Sequence, residues 1–251
     1  MAYPHGGLDY RRIAAYPGRE IHTLVGGEVD AGNLGPELLV FTRPGGLFRV
    51  TADGPDGTFR STPIEGVEGR VRDAVVLPRD SDDPTVSPPI ACVSRAGWVR
   101  ILRVTGPEVT WEAVHDEPMG KGRLCLGPAV GGAPYVLYST TDDGRILRHL
   151  PPATPEAGWS TELIHIGPQG ARGLTAGRFD PDPAVETLAF FGYGKRVELL
   201  RRAPGEDWTV ETLFVDRDKG HWLTKAELDG RNTTEELVLS GYGARIVQLA
   251  R

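Results

Sequence analysis

Five segments of the chain line up: His22-Thr-Leu-Val-Gly-Gly27, Arg72-Asp-Ala-Val-Val-Leu77, Arg123-Leu-Cys-Leu-Gly-Pro128, Arg172-Gly-Leu-Thr-Ala-Gly177 and His221-Trp-Leu-Thr-Lys-Ala226. Their first residues stand 50, 51, 49 and 49 positions apart. Behind each comes a turn-rich loop and a second apolar run, starting at Glu37, Pro89, Pro134, Glu186 and Glu236. A glycine turn follows at Gly46, Gly97, Gly144, Gly194 and Gly243, and then a third run such as the one from Trp98. A fourth opens on an aromatic residue, Phe59, Trp111, Trp159 or Trp208. Apolar residues alternate with period two, and no helical stripe competes. A period near 50 residues holding about four short strands is the mark of a propeller blade.

The reading is therefore an all-β, five-bladed β-propeller with four antiparallel strands per blade. The blades span about 19–66, 67–118, 119–167, 168–216, and 217–251 joined by 1–18. The fifth unit ends after its third strand. Its missing strand is expected at residues 9–17, because Asp9–His22 matches Asp207–His221 with Tyr10 in the place of Trp208. An N-terminal strand pairing with the last blade closes the ring and removes exposed strand edges. The aromatic that opens each fourth strand is expected to pack between blades, and so is Trp222.

Size and composition agree. A chain of 251 residues with 39% hydrophobic and 25% charged residues can bury a single globular core, and Gly 33 and Pro 21 supply many tight turns. The formal charge of −6 argues against nucleic acid as a partner. Cys92 and Cys125 lie in apolar strands and read as buried free thiols, without zinc spacing. No signal-like leader and no run of membrane-spanning length is evident, so a cytoplasmic protein without a membrane partner is expected.

Several strand one–two loops are acidic: Asp30-Ala-Gly-Asn33, Asp180-Pro-Asp182 and Asp229-Gly-Arg-Asn232. With the apolar runs after them they resemble FG-GAP/VCBS propeller repeats, over the whole chain. That class carries a regular Asp-x-Asp-x-Asp-Gly calcium loop. Here no loop is complete and blade three has Gly131-Gly132 instead, so ordinary Asx turns are expected in place of calcium. The resemblance implies a propeller fold and no single function.

The first residue of each inner strand should ring one mouth of the central channel. These are His22, Arg72, Arg123, Arg172 and His221. The strand two–three turns on that face add Arg43, Arg95, Thr141, Tyr193 and Tyr242; Lys121 and Lys219 enter from the incoming loops, with Asp73 the nearest carboxylate. An acidic protein thus gathers positive charge at one spot with few evident counter-charges. Arginine's planar fork suits carboxylates and phosphates, so Arg72, Arg123, Arg172, Arg43 and Arg95 are the candidate substrate-binding residues. His22 and His221, neighbours if the ring closes, are candidate proton-transfer groups with Tyr193 and Tyr242. No metal and no cofactor is expected, since the ring offers no third strong ligand beside the histidines. His115 and His165 read as rim or structural residues; His149 and His5 are not candidates.

Nucleophile-elbow, Walker and dinucleotide motifs are absent, as are paired channel carboxylates. The expected function is a cofactor-independent lyase, dehydratase, isomerase or cyclase acting on a small anionic or polar molecule. The alternatives are a lectin-like or anion-binding module without turnover, and a protein-interaction scaffold. Oligomeric state is open.

Overall fold

The structure is a computed structural model and describes residues 12–30, 35–53, 58–67, 69–79, 81, 83, 85–154, 156–228, 230, 234–243 and 245–249. It is all-β and five-bladed. Blade one holds β1 (Glu20–Gly27), β2 (Glu37–Arg43), β3 (Leu47–Asp53) and β4 (Thr58–Ile64). Blade two holds β5 (Val71–Val76), β6 (Ile90–Ser94), β7 (Trp98–Thr105) and β8 (Glu108–Asp116). Blade three has β9 (Lys121–Gly127), β10 (Val136–Thr141), β11 (Arg145–Leu150) and β12 (Ser160–Ile166). Blade four has β13 (Ala171–Ala176), β14 (Glu186–Gly192), β15 (Arg196–Arg202) and β16 (Thr209–Val215). Blade five has β17 (Gly220–Ala226), β18 (Glu236–Gly241) and β19 (Ile246–Leu249). Every sheet is an antiparallel meander in sequence order, and β1, β5, β9, β13 and β17 follow one another as the inner strands.

Among the described residues blade five has three strands. The closing strand expected at 9–17 begins in residues 1–11, which lie outside the described set with Tyr10 and His5. Of that segment, residues 12–17 are described and form no strand; the Tyr16 ring lies 4.6 Å from Phe48 and its hydroxyl 2.9 Å from Ser61 Oγ, both in blade one.

Period-two alternation divides each second strand between two cores. Ile90 and Cys92 of β6 pack with Leu39, Phe41 and Val71 between blades one and two. Ala91 and Val93, on the opposite face, pack with Leu124 and Leu137 between blades two and three. In β14, Leu188 and Phe190 face Tyr138 of blade three, while Ala189 and Phe191 face Leu223 and Leu239 of blade five. The hydrophobic core is thus a set of inter-blade layers rather than one central cluster. The fourth-strand tryptophans belong to these layers as expected, whereas Phe59, their blade-one counterpart, is exposed. Trp111 donates Nε1–H to the Gly66 carbonyl at 3.0 Å, and Trp159 donates to Glu112 Oε1 at 2.7 Å, each reaching back to the preceding blade. Both cysteines are free and buried.

Turn chemistry holds the ends together. Gly97 and Gly144 have φ of 101° and 98°, and a Cβ there would lie 1.8 Å from the Glu117 carbonyl and 2.3 Å from that of Gly167. Only glycine fits both the conformation and the close approach. At the other face, Glu37 Oε2 accepts from Val29 N–H at 3.0 Å and Glu236 Oε2 from Leu228 N–H at 2.8 Å, pinning the strand one–two loops. Asp30 pairs with Arg49 and Asp180 with Arg201. Asp180 and Asp182 also cap successive N–H groups as Asx turns. Among the described residues no cluster of three or more acidic, histidine or cysteine side chains is placed to hold a metal. None forms a helix long and apolar enough to cross a membrane.

Candidate functional site

Each inner strand is irregular at one place. In β1 the pairing with β2 skips His22; in β5, β13 and β17 it skips Arg72, Arg172 and His221, and in β9 Gly122 and Arg123 together face Thr140. All five ring residues therefore sit in β-bulges. A bulge puts an extra residue into one strand and re-aims its side chain, which is how these residues leave the sheet for the channel mouth.

The bulge also corrects the reading of Trp222. Simple alternation sends it between blades, but the extra residue at His221 breaks alternation. Trp222 is instead 51% exposed, and the Arg123 guanidinium of blade three lies 4.0 Å from its ring centroid.

The strand two–three turns repeat one backbone bond: Arg95 N–H to Arg70 O, Asp142 N–H to Gly120 O, Tyr193 N–H to Gly170 O and Tyr242 N–H to Lys219 O. The blade-three member of the set is thus Asp142, not Thr141. Thr141 is buried, and its hydroxyl bonds Asp143 and the Arg145 carbonyl. This one-residue correction supplies the missing counter-charge. Asp142 Oδ1 accepts from Arg72 Nη1 at 2.7 Å and from Arg172 Nη1 at 3.3 Å.

The remaining ring members divide into two sectors. In the first, Arg123 Nε donates to the Arg172 carbonyl at 2.5 Å. The Arg172 guanidinium lies 5.3 Å and Lys219 Nζ 5.0 Å from the Tyr193 ring centroid. The Tyr193 and Tyr242 hydroxyls are 3.5 Å apart, and the His221 ring meets Tyr242 edge-on at 4.8 Å. The Tyr242 hydrogen bond, then Arg172 and Lys219, draws Tyr193 below the ordinary phenol range. That same hydrogen bond, then burial, pushes Tyr242 up. Burial, then Arg123 and Arg172, lowers His221 and keeps it neutral.

The second sector holds His22, the other histidine expected to transfer protons. Arg70 Nη2 approaches His22 Nε2 at 2.5 Å. Arginine only donates, so Nε2 is the acceptor and Nδ1 carries the proton. Burial lowers His22 first, with Arg70, Arg123 and Arg72 adding to it. His22 and His221 form no pair: each is engaged with its own neighbours. Arg43 pairs with Glu20 at 3.1 Å, and Arg95 is exposed on the same rim.

Arg70 was missed at the sequence level, although a signal existed. It stands two residues before its ring residue, as Lys121 and Lys219 do. Lys121 itself is fully buried and ion-paired to Glu117, which also holds Arg145 at 2.8 Å, so it belongs to the blade two–three junction and not to the mouth. Asp73 is half-buried. Its carboxylate accepts from Leu124 and Ala74 N–H at 3.1 Å each, and burial raises it against the opposing pull of Arg123. His115 and His165 end β8 and β12 away from the ring, and His149 is buried between Ser139 and Thr161.

No family model and no curated protein sequence matches this chain. No family model supports the expected resemblance to FG-GAP/VCBS repeats, whose blade-one and blade-five loops lie partly outside the described residues.

Proposed function

We propose that this mouth of the channel binds a small anionic molecule and moves a proton on it without a cofactor. The observation that carries the reading is the Tyr193–Tyr242 pair, 3.5 Å apart beside Arg172 and Lys219, with environments that drive the two phenols in opposite directions. Titratable neighbours whose affinities for protons are pushed apart divide the work of base and acid. Arg172 and Lys219 hold the ligand's anionic group. The Tyr193 oxygen takes a proton from the adjacent carbon, and charge builds on a neighbouring oxygen near the same cations. The Tyr242 hydroxyl returns a proton to that oxygen or to a leaving group. Neutral His221 lies against Tyr242 and keeps its ring in place. Lyase, dehydratase, isomerase and cyclase chemistry all use this first step. Two free thiols suit a reducing, cytoplasmic compartment.

The second reading is an anion-binding module without turnover. It is favoured by Asp142, whose bonds to one Nη1 each of Arg72 and Arg172 fix these cations in place, as binding requires whether or not a proton moves.

The test is solvent deuterium uptake. Small 2-hydroxy- and 3-keto-carboxylates are incubated with the protein in heavy water, and carbon-bound hydrogen is followed by NMR. Exchange by the wild type that drops about 10²-fold in Tyr193→Phe supports proton transfer. Anion binding with no exchange on any compound leaves the binding module.

A further inference from the structure

Among the described residues, cations outnumber carboxylates on the blade one–two side of the mouth, away from the tyrosines. Arg70 feels Arg43, Arg72 and Arg95 as like charges, opposed by the Glu20 carboxylate. Glu20 is already held by Arg43, and Arg72 is held by Asp142. Among the described residues Arg70 and Arg95 have no ion pair. Arg70 Nε is buried without a hydrogen-bond partner. The two side chains leave adjacent backbone positions, because Arg95 N–H bonds the Arg70 carbonyl at 3.3 Å and Ser94 Oγ bonds it at 3.0 Å.

The repeat supplies an internal control. By the turn bonds, Arg70 stands where blade three has Gly120, blade four Gly170 and blade five Lys219. A cation at this position is therefore no requirement of the fold. Like charges gathered at one rim of an acidic protein cost stability unless an anion compensates.

We propose that Arg70 and Arg95, with Arg43 beside them, form a second anion subsite, and that the ligand is a small molecule with two anionic groups, a dicarboxylate or a phosphocarboxylate. This rests on the reading of the mouth as an anion site. One anionic group lies at Arg172 and Lys219 and the other at Arg70 and Arg95, with the Asp142-bridged arginines between them. A guanidinium pair meets a carboxylate or phosphate by paired N–H donation, and the Nη2 contact with His22 holds the Arg70 guanidinium in place for it.

Isothermal titration at constant ionic strength decides it, with malonate, succinate and phosphonoacetate as dianionic probes and acetate and methylphosphonate as monoanionic ones. At least one dianion is expected to bind tenfold or more tightly than any monoanion. Arg95→Ala, at an exposed turn, is expected to erase that advantage and leave the monoanions unchanged, and Arg70→Gln to do the same. Dianions that bind no tighter than monoanions overturn the subsite, as does Arg95→Ala weakening every anion equally or no anion binding at all. The deuterium assay is separate. Monoanion binding abolished by Arg172→Gln, with no dianion advantage, removes the second subsite and leaves the first; a dianion advantage without any deuterium uptake keeps both subsites and removes the proton transfer.

Discussion

Arg72 and Asp142, seventy residues apart and in different blades, are joined by a 2.7 Å ion pair in which the arginine is almost fully buried. The same carboxylate oxygen takes Arg172 from blade four at 3.3 Å. One aspartate in the blade-three turn thus ties three blades together at the mouth. Arginine at this ring is part of the scaffold as well as a source of field.

Relief of repulsion is therefore not the expected result of removing Arg72. Arg72→Ala should destabilise the fold by about 1–3 kcal/mol, the cost of leaving a partly buried carboxylate without its charge-assisted bond. Asp142→Asn should cost a similar amount, and the double variant less than the sum of the two. Denaturant unfolding of the full cycle measures the coupling, expected at about 0.5–3 kcal/mol. Strict additivity would show that the pair does not act as a unit.

The tyrosine pair has a spectroscopic signature. Tyr193 ionises below the ordinary phenol range because Tyr242, Arg172 and Lys219 favour its phenolate. Replacing Tyr242 by Phe removes the hydrogen bond, so the remaining low titration should move up in pH. Ultraviolet difference titration of wild type, Tyr193→Phe and Tyr242→Phe reads this directly. The lowest phenol should vanish in Tyr193→Phe.

Acid should weaken the protein through its histidines. His149 is buried, bonded to Ser139 and Thr161, and burial pushes it down to about 3. Its folded affinity for protons lies below the unfolded one. The stability it contributes is complete above the unfolded value of about 6.5 and is lost as pH falls from there towards 3. Between those limits the slope from His149 alone approaches about 1.4 kcal/mol per pH unit. His149→Gln should fold less stably near pH 7 yet show a shallower fall from pH 6.5 to 4, measured by urea midpoints.

The N-terminal segment is expected to matter for closure. Deleting residues 1–18 removes Tyr16 from Phe48 and Ser61 and with it any strand paired to β19. The thermal midpoint should fall by several degrees, as a loss of about 1–2 kcal/mol does in a domain of this size. An unchanged midpoint would show that blade five stands on its described strands.

How much of this was legible beforehand follows from where each property resides. Strand alternation and the spacing of about 50 residues are local properties of the backbone, written in consecutive side chains. They placed the blades, the burial of Cys92 and Cys125, the inter-blade packing of the fourth-strand tryptophans, and the ring of His22, Arg72, Arg123, Arg172 and His221. Asp142 was displaced by one residue because turn equivalence depends on which N–H meets the incoming strand, a contact between segments about twenty residues apart.

The tertiary structure alone decided the charges. Alternation cannot register a bulge, since one extra residue reverses the face of all that follows; Trp222 therefore turned from an inter-blade ring into a platform for Arg123. Nor can a linear sequence say that His22 would accept from Arg70, that Lys121 would be buried with Glu117, or that Asp142 would reach both Arg72 and Arg172. Repeats specify equivalent backbone positions, but an ion pair requires two side chains from different blades to meet within a few ångströms. That meeting is set by blade packing and bulge direction, which act through space and not along the chain.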